Sequence, residues 1–259
     1  MPNEPPRIID PDTLMLAYRT GLFPMADSRD DPEVFWVEPE LRAILPLDGF
    51  HCSHSLARTL RRGRFTVTCN ATFGRVLAAC AAPRADTDET WISDRIAATY
   101  RVLHAMGMAH SIECWHEGAL VGGLYGVGFD RVFCGESMFS RERDASKVAL
   151  AWLVAALRRA GAELIDCQFM TEHLASLGAR EIPQADYLRL LARAQRGSAY
   201  LAAGDGLGAG VGNGVGAGMG AGAVLALPEG FAALLADAAD AGASSSPGNF
   251  IAQSFTQTS

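Results

Sequence analysis

Three polar side chains lie where the sequence predicts buried strands. Glu136 falls in an apolar run over residues 131–140, and Asp166 and Gln168 fall in another over residues 163–169. Residues two apart in a strand share a face, so Asp166 and Gln168 are expected to point the same way. A carboxylate beside an amide can orient a substrate and help to move a proton. The same groups could instead form a satisfied hydrogen-bond network, and the pattern alone leaves both interpretations open.

The elements around these residues predict an α+β fold. Alternating apolar residues indicate three antiparallel strands between residues 110 and 140, then a long apolar helix over about 144–160, the strand at 163–169 and two further helices. This order resembles the acetyltransferase-type N-acyltransferase fold, in which a mixed sheet splays open between central strands to admit an acyl donor. We expect a small mixed N-terminal domain over residues 1–84 and an acyltransferase-like catalytic domain over residues 85–196.

The last part of the chain, residues 197–259, is expected to be a glycine-rich linker and flexible tail. Glycine occupies every even position from Gly204 to Gly222. Strict alternation is incompatible with a Gly-x-Gly-x-x-Gly nucleotide loop, and a P-loop lysine is absent, so a flexible linker is the better interpretation. Residues 228–239 are typical of a short amphipathic helix, and residues 244–259 of a loose tail.

Charge is unevenly distributed along the chain. The net charge is −7, yet residues 51–85 contain no Asp or Glu. A local positive block inside an acidic protein favours an anion-binding surface, although a merely solvated helix face would have the same composition. The block consists of Arg58, Arg61, Arg62, Arg64, Arg75 and Arg84.

Composition indicates a cytoplasmic globular protein. Hydrophobic residues make up 49% of the chain, but no apolar run reaches the roughly 20 residues of a membrane span. The N-terminus has neither a basic start nor an apolar signal core. Six scattered cysteines without a Cys-x-x-Cys pair favour free thiols in a reducing compartment. His51 and His54 lack a third partner, so we expect no metal site.

A series of motifs resembles the leucyl/phenylalanyl-tRNA–protein transferase family over about residues 10–195. The resemblance implies transfer of Leu or Phe, and weakly Met, from aminoacyl-tRNA to the N-terminal α-amino group of proteins that begin with Arg or Lys. This tag marks the acceptor for N-end rule degradation. No cofactor, ATP or metal is implied, and we expect a monomer. The motifs are Gly21-Leu-Phe-Pro24, Thr90-Trp-Ile-Ser93, His110-Ser111-Ile-Glu113, Val121-Gly-Gly-Leu-Tyr-Gly126, Phe133-Cys-Gly-Glu-Ser-Met-Phe-Ser140, Ala145-Ser-Lys147, Leu164-Ile-Asp-Cys-Gln168, Ala175-Ser-Leu-Gly178 and Glu181-Ile-Pro183.

The resemblance also implies roles for single residues. Asp166 and Gln168 match the catalytic pair, with Asp166 expected to hydrogen-bond the acceptor amine and help to remove its proton. Glu136 matches a substrate-binding carboxylate, and Trp91 a residue that contacts the terminal adenine. Met25 stands where some members have Trp. We expect a pocket for the Leu or Phe side chain lined by Leu124, Leu150, Leu153, Leu157 and Ile165, and a tRNA-binding surface formed by Arg58, Arg61 and Arg62.

Two alternatives belong to other functional classes. A CoA-dependent N-acetyltransferase would carry a glycine-containing pyrophosphate loop before the long helix, where this chain has residues 141–146 without glycine. A non-catalytic RNA-binding module would explain the arginine block but not Asp166 and Gln168. Failure to bind acetyl-CoA in a thermal-shift assay would argue against the acetyltransferase. The most informative experiment is incubation with leucyl-tRNA and a peptide that begins with Arg, followed by mass analysis of the peptide.

Overall fold

A computed structural model describes residues 7–83, 90–202, 223–242 and 247–256 of the chain. The strands are β1 Phe23–Met25, β2 Phe35–Val37, β3 Leu41–Ile44, β4 Thr66–Cys69, β5 Ala109–His116, β6 Ala119–Phe129, β7 Val132–Ser140, β8 Leu164–Gln168 and β9 Arg180–Pro183. The helices are α1 Pro11–Arg19, α2 His54–Arg61, α3 Phe73–Cys80, α4 Asp94–Ala105, α5 Ala145–Arg159, α6 Glu172–Ala175, α7 Gln184–Ala202, α8 Leu227–Asp240 and α9 Pro247–Thr256.

A seven-stranded mixed sheet organises the chain, with the order β4-β5-β6-β7-β8-β3-β9. The predicted meander is β5, β6 and β7, which pair antiparallel. The chain then crosses over through α5, and β8 pairs parallel to β7. The α+β class and the mixed sheet predicted from the sequence are therefore confirmed. The boundary expected at residue 84 does not separate two sheets, because β3 and β4 pair with strands that follow it.

Local sequence explains where several helices begin. The side chain of Ser53 accepts a hydrogen bond from Leu56 N at the start of α2, and Ser93 does the same for Ile96 N at the start of α4. Such N-caps satisfy amide groups that have no partner inside the helix. Thr171 caps α6 in the same way.

Helices cover both faces of the sheet. One buried cluster lies around α5 and includes residues from α2, α8 and α9, and the other includes residues from α1, α3, α4 and α7. Every residue of α5 from Ala145 to Leu157 except Lys147 is buried. The sequence predicted a long apolar helix here, and a helix that is apolar all round must bury all of its sides. Ala145 approaches β6 at Gly122, whereas Trp152 packs against Phe231 of α8 with ring centroids 5.4 Å apart.

The C-terminal part of the chain requires a correction. The helix expected over residues 228–239 is present as α8, but the expected loose tail over residues 244–259 contains α9, which packs on α2. Contact is close: a Cβ on Gly248 would lie 2.3 Å from the carbonyl oxygen of Leu60. The prediction failed because the cover that α9 provides to α2 cannot be seen in local composition. The glycine repeat between Gly204 and Gly222 lies outside the described residues.

Candidate active site

A cavity of about 460 Å³ opens where β7 and β8 separate. The two strands pair only from Val132 and Leu164 to Cys134 and Asp166. Beyond that point, residues 135–140 of β7 and residues 167–169 line opposite walls of the cavity. Its volume lies in the range of small-molecule sites, about 300–1,000 Å³. We call it the acyl cleft.

The inner wall of the acyl cleft is aliphatic. Leu124 of β6, Leu150 and Leu153 of α5 and Ile165 of β8 line it. Each of these side chains is at most 3% exposed, so a ligand side chain of similar size would be almost fully removed from water. Leu157, one turn beyond Leu153, is buried but is not part of the wall. The structure thus brings four of the five predicted pocket residues together.

The outer part of the acyl cleft carries aromatic and thioether groups. Trp91 and Met25, the two residues expected near the terminal adenine, both line it. Phe23 and Phe169 meet there edge to face, with centroids 5.6 Å apart, and Phe169 is 47% exposed. Neither phenylalanine was predicted as a site residue, although Phe169 directly follows Gln168. Flat rings at an opening are suited to stacking on a nucleobase, which contributes about 1–3 kcal/mol per base.

A hydrogen-bond chain runs along the polar side of the acyl cleft. Gln168 Nε2 donates to Glu136 Oε1 at 3.0 Å, and the Tyr100 hydroxyl donates to Glu136 Oε2 at 2.7 Å. The hydroxyls of Tyr100 and Tyr18 lie 2.6 Å apart. Glu136 and Gln168 line the cavity and are 8% and 6% exposed. Tyr18 and Tyr100 were not predicted as site residues, because a tyrosine on an apolar helix face is typical of a core residue.

Burial changes the proton affinity of Glu136. It raises the pKa of this carboxyl to about 7, while hydrogen bonds from Tyr100, Tyr18 and Gln168 oppose the rise and the charge of Asp166 adds to it. A carboxyl with this pKa exchanges a proton near neutral pH. Burial, together with the charge of Glu136, also raises the pKa of Tyr100, so this phenol remains a donor.

Asp166 is placed differently from the prediction. It is 0% exposed and does not line the acyl cleft. Arg42 Nε donates to Oδ1 at 2.9 Å and Arg42 Nη2 to Oδ2 at 2.6 Å, and the Tyr187 hydroxyl donates to Oδ2 at 3.0 Å. The expected contact between Asp166 and an acceptor amine does not agree with this geometry, because both oxygens face the interior.

Asp166 instead holds Gln168 in place. Its Oδ1 accepts a hydrogen bond from the backbone N–H of Gln168 at 2.8 Å. Gln168 has φ +63°, in the left-handed region that residues with a Cβ rarely adopt. A hydrogen bond from a backbone N–H to the side chain of an aspartate two residues earlier is a contact that forms turns. It interrupts the two-residue alternation of the strand, so Gln168 reaches the acyl cleft while Asp166 does not.

The partner of Asp166 was also missed. Arg42 is 1% exposed, and its guanidinium lies 4.7 Å from the ring centroid of Phe23 and 4.4 Å from that of Tyr187. Its Nη1 donates to the carbonyl oxygen of Gly21 at 2.9 Å. Burial alone would lower the pKa of Arg42, but hydrogen bonds and charge from Asp166 raise it. Arg42, like Asp166, is a charged residue inside a short apolar strand, so its position in the sequence could have marked it as a site residue.

The predicted basic surface lies on and after α2. Arg58, Arg61, Arg62 and Arg64 are all exposed there, and Arg75 is exposed on α3. Arg64 pairs with Glu142, in the loop between β7 and α5. Arg84 lies outside the described residues. The surface and the acyl cleft therefore belong to one sheet-and-helix unit, connected through α5 and the loop before it.

Among the described parts of the chain, no helix has the length and apolar character of a membrane span.

The fold and site define a class: an α+β protein with a mixed sheet that opens onto an apolar cleft bearing a carboxylate and an amide. Residues 44–192 match the family model described as leucyl/phenylalanyl-tRNA protein transferase, and residues 7–40 match its N-terminal domain. The chain belongs to this family and is an aminoacyltransferase. Members of the family transfer an aminoacyl group from tRNA to proteins.

Named relatives agree with this assignment. A leucyl/phenylalanyl-tRNA–protein transferase from Novosphingobium aromaticivorans is 68% identical over 98% of this chain and 98% of its own. One from Rhizorhabdus wittichii is 60% identical over 71% of this chain and 75% of its own. Among solved structures, a C-terminal domain (DUF2156) from Agrobacterium fabrum has 13% identity and a TM-score of 0.33, covering 63% of this chain and 53% of that one. That score assigns no fold, so the acetyltransferase-type label stays a prediction.

Proposed function

We propose that this protein transfers Leu or Phe, and weakly Met, from aminoacyl-tRNA to the N-terminal α-amino group of proteins that begin with Arg or Lys. In this proposal the product is a substrate of N-end rule degradation in the cytoplasm. One observation carries it: the aliphatic wall of the acyl cleft ends at Glu136 and Gln168. A leucyl or phenylalanyl side chain fits that wall, and its ester carbonyl would then lie near the two polar groups.

The aliphatic wall also supports the choice of amino acid. Leu, Phe and Met are unbranched at Cβ and apolar, and a cavity lined by Leu124, Leu150, Leu153 and Ile165 offers such groups contact without any polar partner. Discrimination by size in such a pocket is modest, about 1–3 kcal/mol per methylene. Weak transfer of Met follows from this.

In the proposed reaction, the amine must first lose a proton, because α-amino groups titrate at about 7.7–8.0. Its nitrogen then attacks the ester carbonyl carbon, the bond from that carbon to the ribose oxygen breaks, and the oxygen leaves as a hydroxyl after taking up a proton. Ester aminolysis is downhill, so correct positioning of amine and ester supplies much of the rate; intramolecular examples reach about 7–11 kcal/mol.

We assign the residues according to their contacts. Ionised Glu136 attracts the cationic amine and can accept its proton, and Gln168 orients the amine or the carbonyl. Asp166 and Arg42 are positioning residues that act through Gln168. Trp91, Met25 and Phe169 are suited to the terminal adenine, and the α2 arginines to the body of the tRNA.

The direct test is incubation of the full chain with leucyl-tRNA and a peptide that begins with Arg, followed by mass analysis of the peptide. The proposal expects a mass increase of one leucyl residue at the N-terminus. The same peptide acetylated at its α-amino group is the matched control and must remain unchanged. Modification of an Ala-starting peptide at the same rate would refute the proposed acceptor class.

A further inference from the structure

A second, smaller cavity lies beside the acyl cleft. It has a volume of about 90 Å³ and is lined by Thr59, Arg62, Arg64, Arg143 and Asp144. This is far smaller than the acyl cleft of about 460 Å³ and suits a group the size of one phosphate. We call it the arginine cavity. Its walls come from α2, from the turn after it and from the loop that connects β7 to α5.

The charges in the arginine cavity are mixed. Three arginines line it, of which Arg64 already pairs with Glu142. Arg143 has a side chain that is 90% exposed, and its Nε lies 3.9 Å from the Asp144 carboxylate. Arginine forks are well matched to phosphate oxygens. A carboxylate would repel a free phosphate, so the presence of Asp144 needs its own explanation.

Asp144 has an unusual position for a residue at the start of a helix. It precedes α5 with φ +68°, and its side chain makes no capping hydrogen bond to that helix. The carboxylate is thus available to accept a hydrogen bond from outside. RNA offers a fitting donor next to each phosphate, the ribose 2′-hydroxyl, which is the group that distinguishes RNA from DNA. Arginines and an acidic oxygen together match one unit of RNA backbone.

The arginine cavity is close to the reaction site along the chain. Ser140 at the end of β7 and Ser146 in the first turn of α5 line the acyl cleft, while Arg143 and Asp144 of the loop between them line the arginine cavity. Three residues of chain span at most about 10 Å, so Arg143 and Ser146 are separated by no more than the length of a few nucleotides. An RNA strand whose terminal adenosine lies at the acyl cleft would therefore pass the arginine cavity.

We propose that the arginine cavity binds a single ribonucleotide unit in the 3′-terminal strand of the donor. Arg62, Arg64 and Arg143 bind its phosphate, and Asp144 accepts the 2′-hydroxyl beside it. This inference rests on the proposed function, because it takes aminoacyl-tRNA as the donor. It goes further by naming a backbone contact near the acyl group: Arg62 and Arg64 belong to the basic surface on and after α2, and Arg143 and Asp144 extend that surface toward the acyl cleft.

The first experiment compares two donors and two variants. Arg143→Ala is expected to raise KM for leucyl-tRNA on the order of fivefold with kcat unchanged, and to reduce the slope of log binding constant against log salt by about 0.7. With leucyl-adenosine, which has no phosphate, the same variant should match the wild type. Arg189→Ala is the control, since Arg189 is also well exposed but lies on α7, which lines neither cavity.

The second experiment tests the hydroxyl contact. Replacing the 2′-hydroxyls of the last nucleotides before the terminal adenosine by hydrogen should weaken binding to the wild type severalfold. Asp144→Gly removes the carboxylate and suits the positive φ, so this variant should bind both RNAs equally. An equal loss in wild type and Asp144→Gly would overturn the role of Asp144.

The outcomes separate the two proposals. If the wild type transfers from neither leucyl-tRNA nor leucyl-adenosine, the proposed function itself fails. If both donors work and Arg143→Ala weakens them equally, the arginine cavity acts through the shape of the acyl cleft, and the ribonucleotide site is refuted. An unchanged KM and salt slope for Arg143→Ala refutes it as well.

Discussion

Arg42 and Asp166 form a two-point ion pair inside the protein, with Nε–Oδ1 and Nη2–Oδ2 distances of 2.9 and 2.6 Å. The side chains are 1% and 0% exposed. Antiparallel pairing of β3 with β8 brings them together across 124 positions of sequence. The pair fixes the carboxylate that in turn holds the backbone of Gln168. A structural contact behind the acyl cleft thus determines which group faces it.

Removing one member of this pair should destabilise the protein strongly. Arg42→Leu leaves the Asp166 charge buried without its main partner, and such a change costs about 3–5 kcal/mol. The double variant Arg42→Leu with Asp166→Leu should recover part of that loss, because no isolated charge remains. Urea denaturation of the wild type, both single variants and the double variant measures the coupling. Additive effects of the two single changes would contradict a direct interaction.

Much of the fold could be predicted from the sequence because its main elements are long and strongly periodic. The α5 helix and strands β5 to β8 were expected within one or two residues of their observed ends. The short strands β1 and β9 were missed, since three or four residues carry too little periodicity to be distinguished from a turn. Their pairing depends on neighbours distant in sequence.

Most residues of the site were named from the sequence, but the way some of their side chains point was not. Glu136, Gln168, Trp91 and Met25 do line the acyl cleft. Asp166 does not, because the two-residue alternation of a strand fails where the φ of Gln168 is positive, and residue types alone do not reveal that φ. Leu157 was included because it follows Leu153 at helical spacing, but the cavity ends one turn earlier.

Glu136 should make stability depend on pH. Its pKa is raised from 4.5 to about 7 in the folded protein. Between these values the folded state binds more protons than the unfolded state, so the free energy of unfolding falls as pH rises from about 4.5 to 7. The total change is on the order of 3 kcal/mol. Urea denaturation at pH 5 and pH 8 measures the free energy of unfolding at both ends of this range. In Glu136→Gln the two values should differ less than in the wild type, because the titrating carboxyl is gone.

A second variant checks the cause of that dependence. The hydrogen bond from Tyr100 opposes the rise in the pKa of Glu136. Tyr100→Phe removes the donor, so the pH at which stability falls should move upward. If the difference between Glu136→Gln and wild type is the same at both pH values, Glu136 does not titrate in this range.

Leu153 and Leu157 form a matched pair for testing amino-acid selection. Leu153 lines the acyl cleft and Leu157 does not, although both are buried on α5. Leu153→Ala shortens a side chain of the wall and enlarges the cavity. The ratio of phenylalanyl to leucyl transfer should therefore change by about tenfold in favour of Phe. Leu157→Ala should cost about 2–5 kcal/mol of stability and leave the ratio unchanged. The ratio is measured by letting leucyl-tRNA and phenylalanyl-tRNA compete for one peptide that begins with Arg and by weighing the products. If Leu153→Ala and the wild type give the same ratio, this wall does not select the amino acid.

The α2–α9 contact can be tested with one substitution at two glycines. Gly248→Ala would place a Cβ 2.3 Å from the carbonyl oxygen of Leu60, so α9 must move away from α2. Gly74→Ala meets nothing within 4 Å on α3 and should stabilise by roughly 0.5–1 kcal/mol, since alanine favours the helix. Hydrogen exchange should show faster exchange in α9, and in the facing residues of α2, for Gly248→Ala only. Unchanged exchange in that variant would mean that α9 does not depend on this close approach.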